Sequence, residues 1–120
     1  MQKKILLISR HAPYGSSTAK EALDVALAAA VYDQDLSLLF MDDGIFQLLK
    51  DQQGQKINQK KISSILSALP LYDINKIYIH QESLKQRKIE DKDLLIENAT
   101  ILTNEQVSIL LNHQDHILSF

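Results

Sequence analysis

The stretch from Leu36 to Leu49, LSLLFMDDGIFQLL, limits the fold more than any other part of this chain. Leu36, Leu38, Leu39, Phe40 and Met41 form a nearly unbroken apolar run. A strand covered on both faces can use such a run, and a strand with one face in water cannot. The sheet is therefore expected to be parallel and sandwiched between helices. Asp42, Asp43 and Gly44 should end the strand in a turn, because Asp tolerates turn conformations and Gly supplies backbone angles closed to other residues. Ile45, Leu48 and Leu49 follow at the i, i+3, i+4 spacing of a short helix packing back on the sheet. Ligands of open α/β sheets bind beyond the carboxyl ends of strands, so the Asp42 to Gly44 turn belongs to any functional rim.

The rest of the chain repeats the alternation. Lys4 to Ser9, KILLIS, reads as a central strand and Arg10 to Ser17, RHAPYGSS, as a turning rim segment. Thr18 with Glu21 has capping-box spacing, opening a helix that runs to about Tyr32. Between Ala22 and Val31 only Asp24 is polar, so apolar side chains surround the cylinder. Its small residues Ala26, Ala28, Ala29 and Ala30 either mark a subunit contact or reflect alanine's helix propensity alone. Lys50 to Lys61, with Gly54 and Gln52, Gln53, Gln55 and Gln59, reads as a surface loop. Ile62, Ile65, Leu66 and Leu69 recur at helical spacing before Pro70.

Lys76 to His80, KIYIH, is expected as the third strand, delivering His80 to its carboxyl end, with a polar helix over Gln81 to Lys88. Leu94 to Ile96 reads as a fourth strand and Glu97 to Thr100 as rim. Thr103 with Gln106 is a second capping box before a helix burying Val107, Leu110 and Leu111, and Ile117 to Phe120 is the fifth strand. The expected architecture is one domain over residues 1–120: a three-layer α/β/α sandwich with a five-stranded, mainly parallel sheet.

Composition excludes several kinds of function. Thirteen basic and fifteen acidic residues give a net charge of −2, which supplies no field for holding a polyanion and argues against direct nucleic-acid binding. The chain contains no cysteine, which removes disulfides, thiolate metal sites and cysteine nucleophiles together. No apolar run approaches the roughly 20 residues needed to cross a bilayer, and the first strand begins too early for a signal peptide. A cytoplasmic location and no membrane partner are expected.

The candidate sites lie at the strand ends. Gly15, Ser16, Ser17 and Thr18 stand where helix amides can hold phosphate, but lack the spaced glycines of a dinucleotide loop and the Gly-Lys-Ser/Thr of a nucleotide loop. Helix capping alone explains them. Asp42 and Asp43 could ligate a divalent cation, yet two adjacent carboxylates without further partners read more simply as a solvated turn. His80, beside Gln81, Glu82 and Ser83, could shuttle a proton or donate a hydrogen bond. No serine sits in a nucleophile elbow, and no catalytic set is complete. A phosphoacceptor receiver domain would need acidic residues after the first strand, where this chain has Arg10 and His11. No cofactor and no metal are expected. The rim candidates are Arg10, Gly15, Asp42, Asp43, His80 and Gln81. On these residues alone, a stand-alone small-ligand or phosphate module is one reading of the chain.

The ordered segments APYG (12–15), KEALDVALA (20–28), LLFMDDGIFQLL (38–49), LYDI (71–74), ESLKQRKI (82–89) and HILSF (116–120) resemble the DsrE/DsrF/DsrH family of small sulfur-relay proteins. Within it they are most similar to the DsrF-like, TusC-type subunit. The resemblance covers nearly the whole chain. It implies the DsrEFH-like sandwich and a non-catalytic place in a bacterial heterohexamer holding two copies each of TusB-, TusC- and TusD-like subunits. It further implies that this complex takes sulfur from a TusA-like donor and passes it to a TusE-like acceptor, for 2-thiolation of the wobble uridine in tRNA. In the family the carrier cysteine follows the third strand, and this chain aligns His80 there. Imidazole cannot replace a thiolate in persulfide exchange, so the resemblance implies an accessory subunit.

Overall fold

The computed structural model describes residues 2–49, 57–96 and 98–120, the side chains of 57–61 excepted. In chain order it contains β1 (Lys4–Ser9), α1 (Thr18–Val31), β2 (Asp35–Phe40), a 3₁₀ helix (Asp42–Leu48), α2 (Ile57–Ala68), a 3₁₀ turn (Leu69–Tyr72), β3 (Lys76–His80), α3 (Gln81–Gln86), a 3₁₀ turn (Asp91–Asp93), β4 (Thr100–Leu102), α4 (Asn104–Asn112) and β5 (His116–Ser119). The five strands form one sheet in the order β4-β3-β2-β1-β5, and every ladder in it is parallel.

The sheet is covered on both faces, as the apolar run of β2 requires. Leu7, Leu36, Leu38, Phe40, Ile77 and Ile79 project to one side, where they pack against α1, α2 and the 3₁₀ helix after β2. Leu6, Ile8, Leu39 and Leu102 project to the other, where Val107, Leu110 and Leu111 of α4 cover them. Period-two alternation sorts neighbouring residues into the two layers, and each fully buried Leu, Ile or Phe contributes about 2 kcal/mol by leaving water. The helix α4 is the crossover joining β4, at one edge, to β5 at the other.

Several expectations change in detail. The fourth strand is Thr100–Leu102, whereas Leu94 makes an isolated antiparallel bridge to Leu49 and buries its side chain in the larger core. Three consecutive apolar residues carry no period, so the triplet at 94–96 looked like a strand while acting as a plug. The acidic turn and short helix after β2 are one 3₁₀ helix that begins at Asp42, with Asp42 in the left-handed region at φ 52°. Of the loop expected over 50–61, residues 50–56 lie outside the described residues and 57–61 are already helical. Glu97 of the expected rim also lies outside them. Pro70 sits inside the 3₁₀ turn that ends α2.

The Thr18–Glu21 capping box does not form. The chain enters the helix one residue earlier, Ser17 is the N-cap, and its hydroxyl donates to the Glu21 carboxylate at 2.9 Å instead of capping an amide. The Thr103–Gln106 box forms in both directions, at 3.3 and 2.9 Å. The alanines of α1 are not a spare face either. Ala19, Ala22, Leu23 and Ala26 make an i, i+3, i+4, i+7 buried stripe, Ala29 and Ala30 pack against the same core, and Ala28 is exposed. Small side chains let α1 lie close to the sheet and to α2, so the observation behind a subunit contact is accounted for inside the molecule.

Candidate functional site

The carboxyl ends of β1, β2 and β3 and the start of α4 form one rim, and a chain of hydrogen bonds crosses it. Its hub is Ser83, on α3 three residues after His80 and only 1% exposed. The Ser83 Oγ accepts the backbone N–H of Asp42 at 2.9 Å and lies 2.6 Å from His80 Nδ1. On its other side the ring places Nε2 against Asn104 Oδ1 at 2.5 Å. The ends of β2 and β3 and the first residue of α4 are thus tied through one hydroxyl and one imidazole.

Charged groups flank this chain in opposed pairs. Arg10 Nε lies 3.5 Å from the Asp42 carboxylate, with both side chains about half exposed. Arg87 donates through Nε and Nη2 to Asp43 Oδ1 at 3.2 and 2.9 Å, through Nη1 to the Ser83 carbonyl at 3.3 Å, and lies 5.9 Å from the Phe46 ring centroid. A half-exposed pair such as Arg10–Asp42 contributes at most about 1 kcal/mol, so it orients the rim more than it stabilises it.

Beneath the rim, Gln47 of the 3₁₀ helix is fully buried. Its Nε2 donates to Ser9 Oγ at 2.7 Å and to the His11 carbonyl at 2.9 Å, which fixes how the chain leaves β1. Its Oε1 is buried with no hydrogen-bond partner among the described residues. Gly44 explains how that helix comes so near: a Cβ built there would stand 2.0 Å from the Ser9 carbonyl oxygen.

Of the residues expected at the rim, Arg10, Asp42 and His80 are drawn into one linked set, and Asp43 joins it through Arg87. Gly15 adopts φ 87° in open space, which accounts for glycine there, and Gln81 opens α3. No side-chain hydrogen bond joins Gly15 or Gln81 to the set among the described residues. Sequence reasoning missed Asn104, Gln47 and Arg87. It grouped Ser83 with His80 without seeing its bond to Asp42. The i, i+3 spacing of His80 and Ser83 across a strand-to-helix junction was the available signal. Asn104, 24 residues further on, gave none.

The set offers hydrogen-bond donors and two guanidinium groups to an incoming anion. It offers no thiol. Among the described residues no group of three or more His, Asp or Glu could hold a metal ion, and no helix is long and apolar enough to cross a membrane. A separate cavity of about 280 Å³, lined in part by Asp33, Asp35, Tyr72, Asp73 and Lys76, opens at the amino ends of the strands and shares no residue with the rim.

A family model described as DsrE/DsrF-like matches residues 3–120. The chain belongs to the DsrE/DsrF-like family. Relatives similar along their whole length agree. The TusC homolog of Pseudomonas aeruginosa is 33% identical, with 99% of each chain covered, and that of Vibrio parahaemolyticus is 37% identical, with 98% of each covered. The intracellular sulfur oxidation protein DsrF of Allochromatium vinosum is 34% identical, covering 98% of this chain and 96% of its own. The crystal structure of the YchN protein of E. coli superposes with a TM-score of 0.81 at 26% identity over the full length of both chains. The family's α/β architecture is therefore the one described above, a five-stranded parallel sheet with flanking helices.

Proposed function

We propose that this protein is an accessory subunit of a sulfur-relay complex and carries no sulfur itself. One observation bears most of the weight: a chain matched by the family model over residues 3–120 contains no cysteine. Persulfide relay moves a sulfur atom when an acceptor thiolate attacks the outer sulfur of the donor's persulfide, forming one S–S bond while the donor leaves as a thiolate. Each station needs a thiol. This chain has His80 at the end of β3, where the resemblance implies a carrier's cysteine, so its service is to shape a partner's site.

In full, the proposal covers one domain over residues 1–120, working in the cytoplasm. It assembles with TusB- and TusD-like subunits in a heterohexamer, between a TusA-like donor and a TusE-like acceptor, for wobble-uridine thiolation. His80 and Arg10 supply donors that stabilise a partner's persulfide anion. The alternative of a stand-alone phosphate module is weakened by the rim itself. Gly15 is not linked to Asp42 and His80, and the Glu21 carboxylate already faces the amino end of α1, where an anion would have to sit.

The test is co-expression with the neighbouring genes, followed by sulfur transfer with a labelled persulfide donor. The chain is expected to co-purify stoichiometrically with cysteine-bearing relatives and to take up no covalent label. His80→Ala should leave that assembly intact and slow transfer about tenfold, the loss of one charge-assisted hydrogen bond. Purification of the chain free of its co-expressed neighbours, or label bound to it, overturns the reading.

A further inference from the structure

Hydrogen-bond accounting around His80 reaches further than the positions alone. With Oδ1 of Asn104 turned towards the ring, that oxygen only accepts, and the nitrogen facing it, Nε2, must then carry a proton. In a neutral imidazole the other nitrogen is then bare and needs a donor. The group beside Nδ1 is Ser83 Oγ, which has one proton to give and already spends a lone pair on the Asp42 N–H. With Asn104 so oriented and the ring neutral, the bonds run one way: Asp42 N–H to Ser83, Ser83 O–H to Nδ1, and Nε2–H to Asn104. With Ser83 buried at 1% exposure, water does not readily substitute for its hydroxyl.

We propose that Ser83 is a positioning residue that holds His80 in the Nε2–H tautomer. Its hydroxyl thereby keeps the nitrogen on the α4 side of the rim a hydrogen-bond donor. Asn104, exposed at the first turn of α4, holds that N–H until a better acceptor arrives. The acceptor this donor suits is an anionic sulfur, a partner's persulfide or thiolate, and that assignment rests on the sulfur-relay reading above. The tautomer itself does not. A chain of aligned bonds also polarises cooperatively, so the Asp42 amide at the end of β2 strengthens the donor two links away.

The experiment is long-range ¹H–¹⁵N correlation of the imidazole nitrogens in the labelled full chain, with His80 assigned by its loss in His80→Gln. Wild type is expected to show the Nε2–H pattern. Ser83→Ala should lose it, passing to Nδ1–H or a mixture, and Ser83→Thr, which restores a hydroxyl, should regain it. An Nδ1–H pattern in wild type overturns the proposal without any variant, as does an unchanged pattern in Ser83→Ala whose other resonances stay folded. In the reconstituted complex, Ser83→Ala should slow sulfur transfer about tenfold and Ser83→Thr should restore it. A changed tautomer with an unchanged transfer rate removes the anionic-sulfur assignment and leaves the hold of Ser83 on the ring standing.

Discussion

Gly44 and Gly15 are glycines for different reasons, and substitution separates them. At Gly44 a methyl group would collide with the backbone of Ser9, which belongs to the central sheet and cannot yield. Gly44→Ala should cost about 3 kcal/mol, read as a lower midpoint in urea unfolding. At Gly15 space is open and only the positive φ resists, so Gly15→Ala should cost about 1 kcal/mol. Gln47 is the residue least legible from the sequence. Set in an otherwise apolar block it reads as a spacer between Ile45 and Leu48, yet it is fully buried and anchors both Ser9 and His11. Gln47→Ala should cost about 2 kcal/mol in the same assay, because it opens a hole and strips Ser9 Oγ of its donor. Periodicity reports which residues are apolar. A buried polar side chain answers to partners that spacing does not reveal.

At the scale of elements, the two capping motifs make a matched comparison. Thr103→Ala should lower stability by about 1 kcal/mol, because it frees the amide of Gln106. Thr18→Ala should change it by less than about 0.5 kcal/mol, because Thr18 is already inside α1 and caps nothing. The same four-residue pattern thus has different worth according to where the chain turns into the helix, and that is set by the rim segment before it. The longer strands were readable because six residues carry a pattern. β4, with three, was misplaced in favour of the apolar triplet at 94–96, and its true position follows from pairing Tyr78 to Thr100 across the sheet. The strands also differ in cover. β2 is buried along nearly its whole length while all four residues of β5 are exposed, so amide exchange should be slowest in β1 and β2 and fastest in β5.

Taken whole, the molecule separates a fold that its sequence announced from a site that it announced only in part. Layering, strand alternation and the place of His80 follow from local pattern, because apolar runs and helical spacing act over a few residues. The rim depends on residues far apart in sequence, such as Asp42 with Ser83 and His80 with Asn104, and these meet only after the sheet forms. If the fold supplies a carrier's scaffold lacking only its thiol, then His80→Cys should convert this chain into one that takes covalent label from a persulfide donor. Mass spectrometry of the intact protein would read this as a 32-dalton increment per sulfur, about the mass of one sulfur atom, against no increment for wild type.

The placement of β5 beside β1 also has a consequence during synthesis. Of the sheet's five strands β1 is made first, and one of its two edges waits for the fifth, delivered by α4 from the far side of the sheet. Through most of translation that edge is open to any extended segment nearby. The nascent chain therefore shows its neighbours a strand edge that the finished protein hides, and anything able to pair with an extended backbone would find its opening then.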